Sequence, residues 1–258
     1  MQKIIGLFLI GMLLSTQLFS QTWIRMQSWG LDLESITWIN ENVGFGVGEN
    51  LLIRTSDGGL TWEELSVSIE GKLLDVAFWD ISTGVAVGEK GQIFRTLDGG
   101  ETWEQIPSGT TKALNSLAIS SENKIFATTD AGEILISVNK GGSWSKLNSG
   151  TSQSLNDINT LNSDTTYIAG NQGTILRTYD GGSTWSSLSS GLNVNLNGIA
   201  FSTPLIGYAV GGEGTIAKTV DAGETWIAQA SSVITDLNKV AISPLDNRIV
   251  TVVGDMAI

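Results

Sequence analysis

The sequence predicts an all-β fold built from copies of one unit about 41 residues long. Three observations carry the prediction: a regular repeat, short strand-like runs bounded by turn residues, and the lack of a capped amphipathic helix pattern. The 31 glycines against 3 prolines indicate many tight turns. Four short strands in each unit are typical of one blade of a β-propeller, so we predict a propeller of four-stranded blades.

The repeat is clearest at five tryptophans, each 41 residues after the one before: Trp62, Trp103, Trp144, Trp185 and Trp226. Two apolar series have the same spacing, namely Val76, Leu117, Ile158, Ile199 and Val240, and Leu52, Ile93, Ile134, Ile175 and Ile216. A glycine series shares it as well, at Gly91, Gly132, Gly173 and Gly214. Independent series at one period indicate internal repeats.

The second copy shows the four strands of a unit, which we name a to d. Strand a is predicted at 74–79, strand b at 84–87, strand c at 92–96, and strand d from Trp103. Each run is rich in β-branched and aromatic residues and is bounded by Gly, Asp, Ser or Asn. A β-solenoid is the alternative, but its coils are usually shorter and poorer in aromatic residues.

The turn between strands c and d carries a motif. It reads Thr-x-Asp-Gly-Gly-x-Thr-Trp at Thr55–Trp62, Thr96–Trp103 and Thr178–Trp185, with Ala for the first Gly at Thr219–Trp226 and a degenerate copy at Ser137–Trp144. We expect the Asp or Asn to accept hydrogen bonds from N–H groups two or three residues on. A glycine supplies the positive φ and the Trp buries an apolar face. The predicted structural residues are therefore Asp57, Trp62, Asp98, Trp103, Asn139, Trp144, Asp180, Trp185, Asp221 and Trp226.

The motif resembles the Asp-box, or BNR, repeat of sialidases, sortilin-type receptors and some glycoside hydrolases. Together with Ala-Val-Gly on the preceding strand, it is most similar to the repeats of the photosystem II stability and assembly factor family, which also occur in exported bacterial proteins. The resemblance covers Thr22 to Ile258. It implies a propeller, a protein partner, and an Asp-box on the face away from any active site, but fold does not determine function.

Composition excludes several function classes. The net charge is -12, from 14 basic and 26 acidic residues, and no basic run is present, so nucleic acid is not a predicted partner. The chain has no Cys and no His, which excludes Cys nucleophiles, Ser-His-Asp triads, disulfides and the common zinc sites. We therefore predict no catalytic residue, no metal and no cofactor.

The N-terminus resembles an export signal. Lys3 precedes the short apolar stretch Ile4 to Leu14, and small Ser20 is the expected cleavage position. We predict a signal peptide at 1–20, a propeller at 22–258, and a periplasmic, cell-surface or secreted location. An uncleaved anchor or a first strand is the alternative. No transmembrane segment is expected in the mature chain.

One set of polar residues follows strand b in each copy: Glu49, Glu89, Asp130, Asn171, Glu213 and Asp255. We call this set the acidic collar. In a propeller the b–c turns open on the same face as the connections between blades, so the collar is the candidate site for a basic peptide or cation. The alternative is that these are ordinary exposed turn residues.

Cations recur on strand c, at Arg54, Arg95, Arg177 and Lys218. They could hold an anionic ligand, but pairing with surface carboxylates is the favoured interpretation. A sialidase would also need an Arg-Ile-Pro segment, and the nearest sequence is Arg248-Ile249-Val250. We therefore predict an exported, non-catalytic protein-binding module. The alternative is carbohydrate binding or hydrolysis, which exposed aromatic residues on the b–c face would favour.

The two ends of the chain predict how the ring closes. Thr22–Met26 matches the opening of a strand d, whereas 237–242, 249–253 and 256–258 match strands a, b and the start of c. With five complete units between, we predict six blades, the last shared by both termini. A truncated seven-bladed propeller is the alternative.

Overall fold

A computed structural model describes residues 32–121, 123–243, 246 and 248–255. The strands form five four-stranded antiparallel sheets and a sixth sheet with two strands in this part of the chain. The first two blades comprise β1 (Leu33–Trp38), β2 (Gly44–Gly48), β3 (Leu51–Thr55) and β4 (Glu63–Glu64), then β5 (Leu73–Phe78), β6 (Gly84–Gly88), β7 (Ile93–Thr96) and β8 (Glu104–Gln105).

The next blades repeat this order. Blade 3 comprises β9 (Leu114–Ile119), β10 (Ile125–Thr129), β11 (Ile134–Ser137) and β12 (Ser145–Leu147). Blade 4 comprises β13 (Leu155–Thr160), β14 (Thr166–Gly170), β15 (Thr174–Thr178) and β16 (Ser186–Ser189). Blade 5 comprises β17 (Leu196–Phe201), β18 (Gly207–Gly211), β19 (Ile216–Thr219) and β20 (Ile227–Ala228), and blade 6 contributes β21 (Leu237–Ile242) and β22 (Val250–Gly254).

Each blade pairs its strands in chain order, and the first strands of successive blades lie against one another from β1 to β21. This arrangement is that of a propeller, with strand a innermost, and it confirms the predicted all-β fold of six sheets. The strands of the second copy begin and end within a residue or two of the predicted positions. The pieces at 22–26 and 256–258 lie outside the described residues, as does the predicted signal peptide, so the shared sixth blade stays a prediction.

The hydrophobic core lies between neighbouring blades. Between blades 2 and 3, for example, fully buried Val87 and Leu114 pack with Ala127, which comes from the second strand of blade 3. Fully burying a side chain such as Val or Leu contributes about 1.5–3 kcal/mol. Such clusters recur at successive boundaries, so apolar packing holds neighbouring blades together.

The Asp-box turn is held by two side chains rather than one. In blade 2, the buried Thr96 hydroxyl accepts the N–H of Gly100 at 2.9 Å and donates to Asp98 at 2.8 Å. The Asp98 carboxylate accepts the N–H of Thr102 at 3.0 Å and its hydroxyl at 2.6 Å. In this copy the carboxylate therefore bonds four residues on, and not two or three as expected. In blades 1 and 4 the corresponding carboxylates, Asp57 and Asp180, also interact with the backbone three residues on.

The motif tryptophan and second glycine lie at a blade boundary. The Trp103 ring meets Phe45 of blade 1 edge-on, with centroids 6.1 Å apart, and Phe78 of its own blade at 5.9 Å. Gly100 has φ +85°, and a Cβ there would overlap the Phe45 ring. The Asp-box turn of one blade therefore packs on strand b of the blade before it, and the structural role of the motif residues stays a prediction.

Candidate functional site

The turns divide between two ends of the propeller. The b–c turns bond the chain just before strand a: Glu89 donates its N–H to the carbonyl of Lys72 at 2.9 Å, and Asn171 to that of Ser154 at 2.9 Å. The b–c turns and the blade connections therefore share one face, as predicted, and we call it the b–c face. At the other end Gly99 donates to Ser82 at 2.8 Å, which joins the c–d and a–b turns on the Asp-box face.

All six residues of the acidic collar lie on the b–c face, but they do not converge on one point. Several side chains bond within their own blade. Glu89 accepts the N–H of Lys72 at 3.2 Å, Asn171 accepts an amide hydrogen of Asn156 at 2.9 Å, and Asp255 accepts one from Asn238 at 2.9 Å. Asp130 and Glu213 are exposed, and their side chains make no hydrogen bond with the described residues. The collar is thus a set of separate turns, and its binding role stays a prediction.

The collar's charge is partly neutralised beside blades 1 and 2. Lys72 lies 2.6 Å from Glu34. This hydrogen bond, with the negative charges of Glu34, Glu49 and Glu89, raises the pKa of Lys72 although burial acts in the opposite direction. Farther round the ring, Asp130 and Glu213 also carry negative charge on the b–c face without an ion-pair partner among the described residues.

Two of the four strand-c cations form ion pairs across a blade boundary, and Lys218 instead lies 5.4 Å from the centre of the Tyr208 ring. Arg54 of blade 1 forms an ion pair with Glu101 of blade 2, and Arg177 of blade 4 lies 2.8 Å from Glu224 of blade 5. Arg95 instead faces Gly142 of the next blade, where no acidic side chain is available. Pairing with surface carboxylates, the favoured interpretation, is thus confirmed for Arg54 and Arg177, whose ion pairs join neighbouring blades.

Sequence reasoning missed a charged cluster where the first strands meet. Lys239 of blade 6 lies 2.7 Å from Asp157 of blade 4. The Ser116 hydroxyl of blade 3 lies 3.2 Å from Asp157 and 3.1 Å from Asp75 of blade 2. Because four blades contribute, the cluster lies in the central channel of the propeller.

The channel cluster is internally compensated. Burial lowers the pKa of Lys239, but attraction to Asp157 and Asp75 outweighs it, so the pKa is raised and the amine stays charged. Each carboxylate also accepts a backbone N–H from the next blade along the chain. Asp75 accepts that of Leu117 at 2.7 Å, and Asp157 accepts that of Ile199 at 2.8 Å. The cluster thus joins side chains and backbone of several blades across the channel.

A groove of about 670 Å³ opens on the b–c face between blades 2 and 3. Its charged residues are Lys112, Glu133 and Lys146. Glu133 lies 2.7 Å from Lys146 and accepts the Thr110 hydroxyl at 2.7 Å. These three residues are not repeated at the equivalent positions of the other described blades, so the 41-residue period gave no signal for them. Comparing the copies for positions where one unit differs from the rest could have found them.

Two features are absent from the described residues. No group of three or more side chains of the metal-binding types comes together there. No helix in that part of the chain is long and apolar enough to cross a membrane.

Residues 60–187 match the family model of the photosynthesis system II assembly factor YCF48. No curated protein matches the sequence. The structure of YCF48 from Cyanidioschyzon merolae is 17% identical with a TM-score of 0.73, covering 92% of this chain and 83% of that one. The structure of YCF48 bound to D1 peptide is 21% identical with a TM-score of 0.50, covering 87% and 91%.

A glycoside hydrolase also shares the fold. The GH74 enzyme of Niastella koreensis is 16% identical with a TM-score of 0.73, and the match covers 86% of this chain but 44% of the enzyme. This likeness extends to the propeller fold alone. The chain is a β-propeller with Asp-box turns between its third and fourth strands, and its residues 60–187 match the YCF48 family model.

Proposed function

We propose that this protein is a non-catalytic, assembly-factor-like module that binds a protein partner on its b–c face. The observation that carries the proposal is the match of residues 60–187 to the YCF48 family. A structural relative, YCF48, is known bound to D1 peptide, which supports a peptide segment as the kind of ligand. The b–c face offers the free carboxylates of Asp130 and Glu213 and a groove, whereas the Asp-box side chains are engaged in their own turns.

Carbohydrate binding or hydrolysis is the competing function, favoured by the shared fold with the GH74 enzymes. Glycosidases need two carboxyl groups about 5–10 Å apart across an open cleft. The carboxylates of Asp75 and Asp157 are instead held by serine, lysine and backbone donors. Among the described residues, the one aromatic ring exposed by more than half belongs to Tyr179, at 54%, and it lies in an Asp-box turn. Sugar binding would be favoured by exposed aromatic residues on the b–c face, whereas this exposed ring lies on the Asp-box face.

We also propose that the protein is exported, from the sequence of residues 1–20. Intact-mass measurement of protein purified from its native cells tests this. A chain beginning near residue 21 is the expected result, and recovery of soluble protein that starts at Met1 would contradict export.

Affinity capture from native envelope extracts tests the binding face. The Asp130→Lys and Glu213→Lys double variant changes the b–c face, and Glu41→Lys with Asp164→Lys makes the same charge change at two exposed carboxylates of the Asp-box face. We expect wild type and the Asp-box-face control to retain one protein partner that the b–c variant loses. Equal capture by all three proteins would contradict the proposed face, and turnover of a β-glucan by purified wild type would contradict the non-catalytic role.

A further inference from the structure

The groove between blades 2 and 3 has a charge unlike that of the rest of the protein. The chain has a net charge of -12, yet the groove contains two lysines and one glutamate. Its walls come from the connection between the two blades, including Pro107, Gly109 and Thr111. A groove of about 670 Å³ falls within the range of typical small-ligand pockets and suits a short peptide segment rather than a single ion.

The acidic residue of the groove is already satisfied. One Glu133 oxygen lies 2.7 Å from the Lys146 amine, and the other accepts the Thr110 hydroxyl at 2.7 Å. Burial raises the pKa of Glu133, but these hydrogen bonds and the positive charges of Lys146 and Lys112 outweigh it and lower the pKa, so Glu133 is charged and forms its ion pair with Lys146. The net charge left in the groove is that of Lys112, which is exposed and forms no ion pair with the described residues.

The blade connection supplies further donors beside Lys112. Its backbone is fixed because the Lys112 N–H bonds the Thr110 hydroxyl at 3.2 Å and the Thr110 N–H bonds the Ser108 hydroxyl at 3.2 Å. The intervening N–H groups of Gly109 and Thr111 make no hydrogen bond with the described residues. An ammonium group and two unpaired backbone donors in one groove match the acceptors of a carboxylate.

We propose that this groove binds an acidic segment of a protein partner, with Lys112 pairing with its carboxylates. The inference rests on the proposed protein-binding function and assigns an acidic character to the segment of the partner that enters this groove, while the free carboxylates of Asp130 and Glu213 contact another part of the partner. It differs from the prediction for the acidic collar, which would favour a basic peptide. The groove is the more specific site, since the collar residues do not converge and the groove's donors lie on one short connection.

Fluorescence anisotropy with three labelled Gly-Ser peptides tests the proposal. The peptides carry Glu, Gln or Lys at every third position and are otherwise identical. Wild type is expected to bind the Glu peptide saturably and the other two at least about tenfold more weakly, because charge-assisted hydrogen bonds are lost. Lys112→Gln should weaken binding of the Glu peptide about tenfold, and Lys112→Arg should restore most of it.

Lys90→Gln is the matched control, since Lys90 is an exposed lysine on the same face that pairs with Glu70 at 3.5 Å outside the groove. It should leave the affinity for the Glu peptide within about twofold of wild type. Carbodiimide coupling of that peptide, followed by mass spectrometry, should place the cross-link on Lys112. Binding that is unaffected by Lys112→Gln, preference for the Lys peptide, or no binding of any peptide would overturn the groove assignment. Capture of the native partner by the b–c face would still stand in that case, so the two proposals fail separately.

Discussion

The contact between each Asp-box turn and the preceding blade can be tested at Gly100. An alanine there meets two costs. At φ +85° an L-residue is disfavoured by about 1 kcal/mol, and the new methyl group would overlap the Phe45 ring. Phe45 cannot move aside easily, because it is fully buried and stacks on Phe78 with centroids 4.6 Å apart. Overpacking of this kind costs about 1–3 kcal/mol.

Gly109 provides the matched control. Its φ is +76°, but an added Cβ would have no atom within 4 Å. Gly109→Ala therefore meets the backbone cost alone, about 1 kcal/mol. The difference between the two variants isolates the contact across the blade boundary.

We expect Gly100→Ala to lower the free energy of unfolding by about 3 kcal/mol and the Tm by about 6–12 °C, and Gly109→Ala to lower the Tm by about 2–4 °C. Differential scanning calorimetry of the purified proteins measures both. If the two variants shift the Tm equally, the Asp-box turn does not pack tightly on the preceding blade and the reasoning is refuted.

Three further predictions concern the same turns. Thr96→Val should destabilise the fold by about 1–3 kcal/mol in urea titrations, because the buried Gly100 N–H loses its acceptor, while Thr96→Ser should cost less since blade 3 already uses Ser137 there. Ala222→Gly should raise the Tm by about 2–4 °C, because Ala222 adopts φ +62°; an unchanged Tm would argue against strain at this residue. Hydrogen bonds from Thr102 hold the pKa of Asp98 at about 2, below its ordinary 3.8, so its stabilisation is present above pH 4 and is lost as the pH falls through 2. Melting temperatures between pH 7 and 2 should show this loss, and Asp98→Asn should reduce it.

The fold could be predicted from the sequence because the determining residues recur. The 41-residue spacing of the tryptophans marks five c–d turns, and the strand boundaries follow from glycine and aspartate at fixed distances from them. The Thr96 hydroxyl was overlooked because Asp98 was assigned the bonds within the turn. In the structure the two side chains divide those bonds between the inner and outer sides.

The site was harder to predict than the fold. The channel cluster does have a sequence signal, since Asp75, Ser116, Asp157, Gly198 and Lys239 each precede a residue of one apolar series. Sequence spacing does not say which of these side chains meet across the ring. The groove has the opposite difficulty: Lys112 belongs to no repeated series, so periodicity hides it, and only the closed packing of two blades makes the surrounding cavity.

The lysine in the central channel has a consequence for how the ring unfolds. Repeat proteins usually behave as arrays in which each unit is stabilised by its immediate neighbours, so they can unravel from one end. Lys239 of blade 6 contacts Asp157 of blade 4 and is attracted to Asp75 of blade 2, neither of which belongs to an adjacent blade. Such contacts couple distant units and favour one concerted transition over stepwise loss of blades. They also tie the molecule to its blade number, because inserting or deleting one 41-residue unit would separate the lysine from its carboxylates.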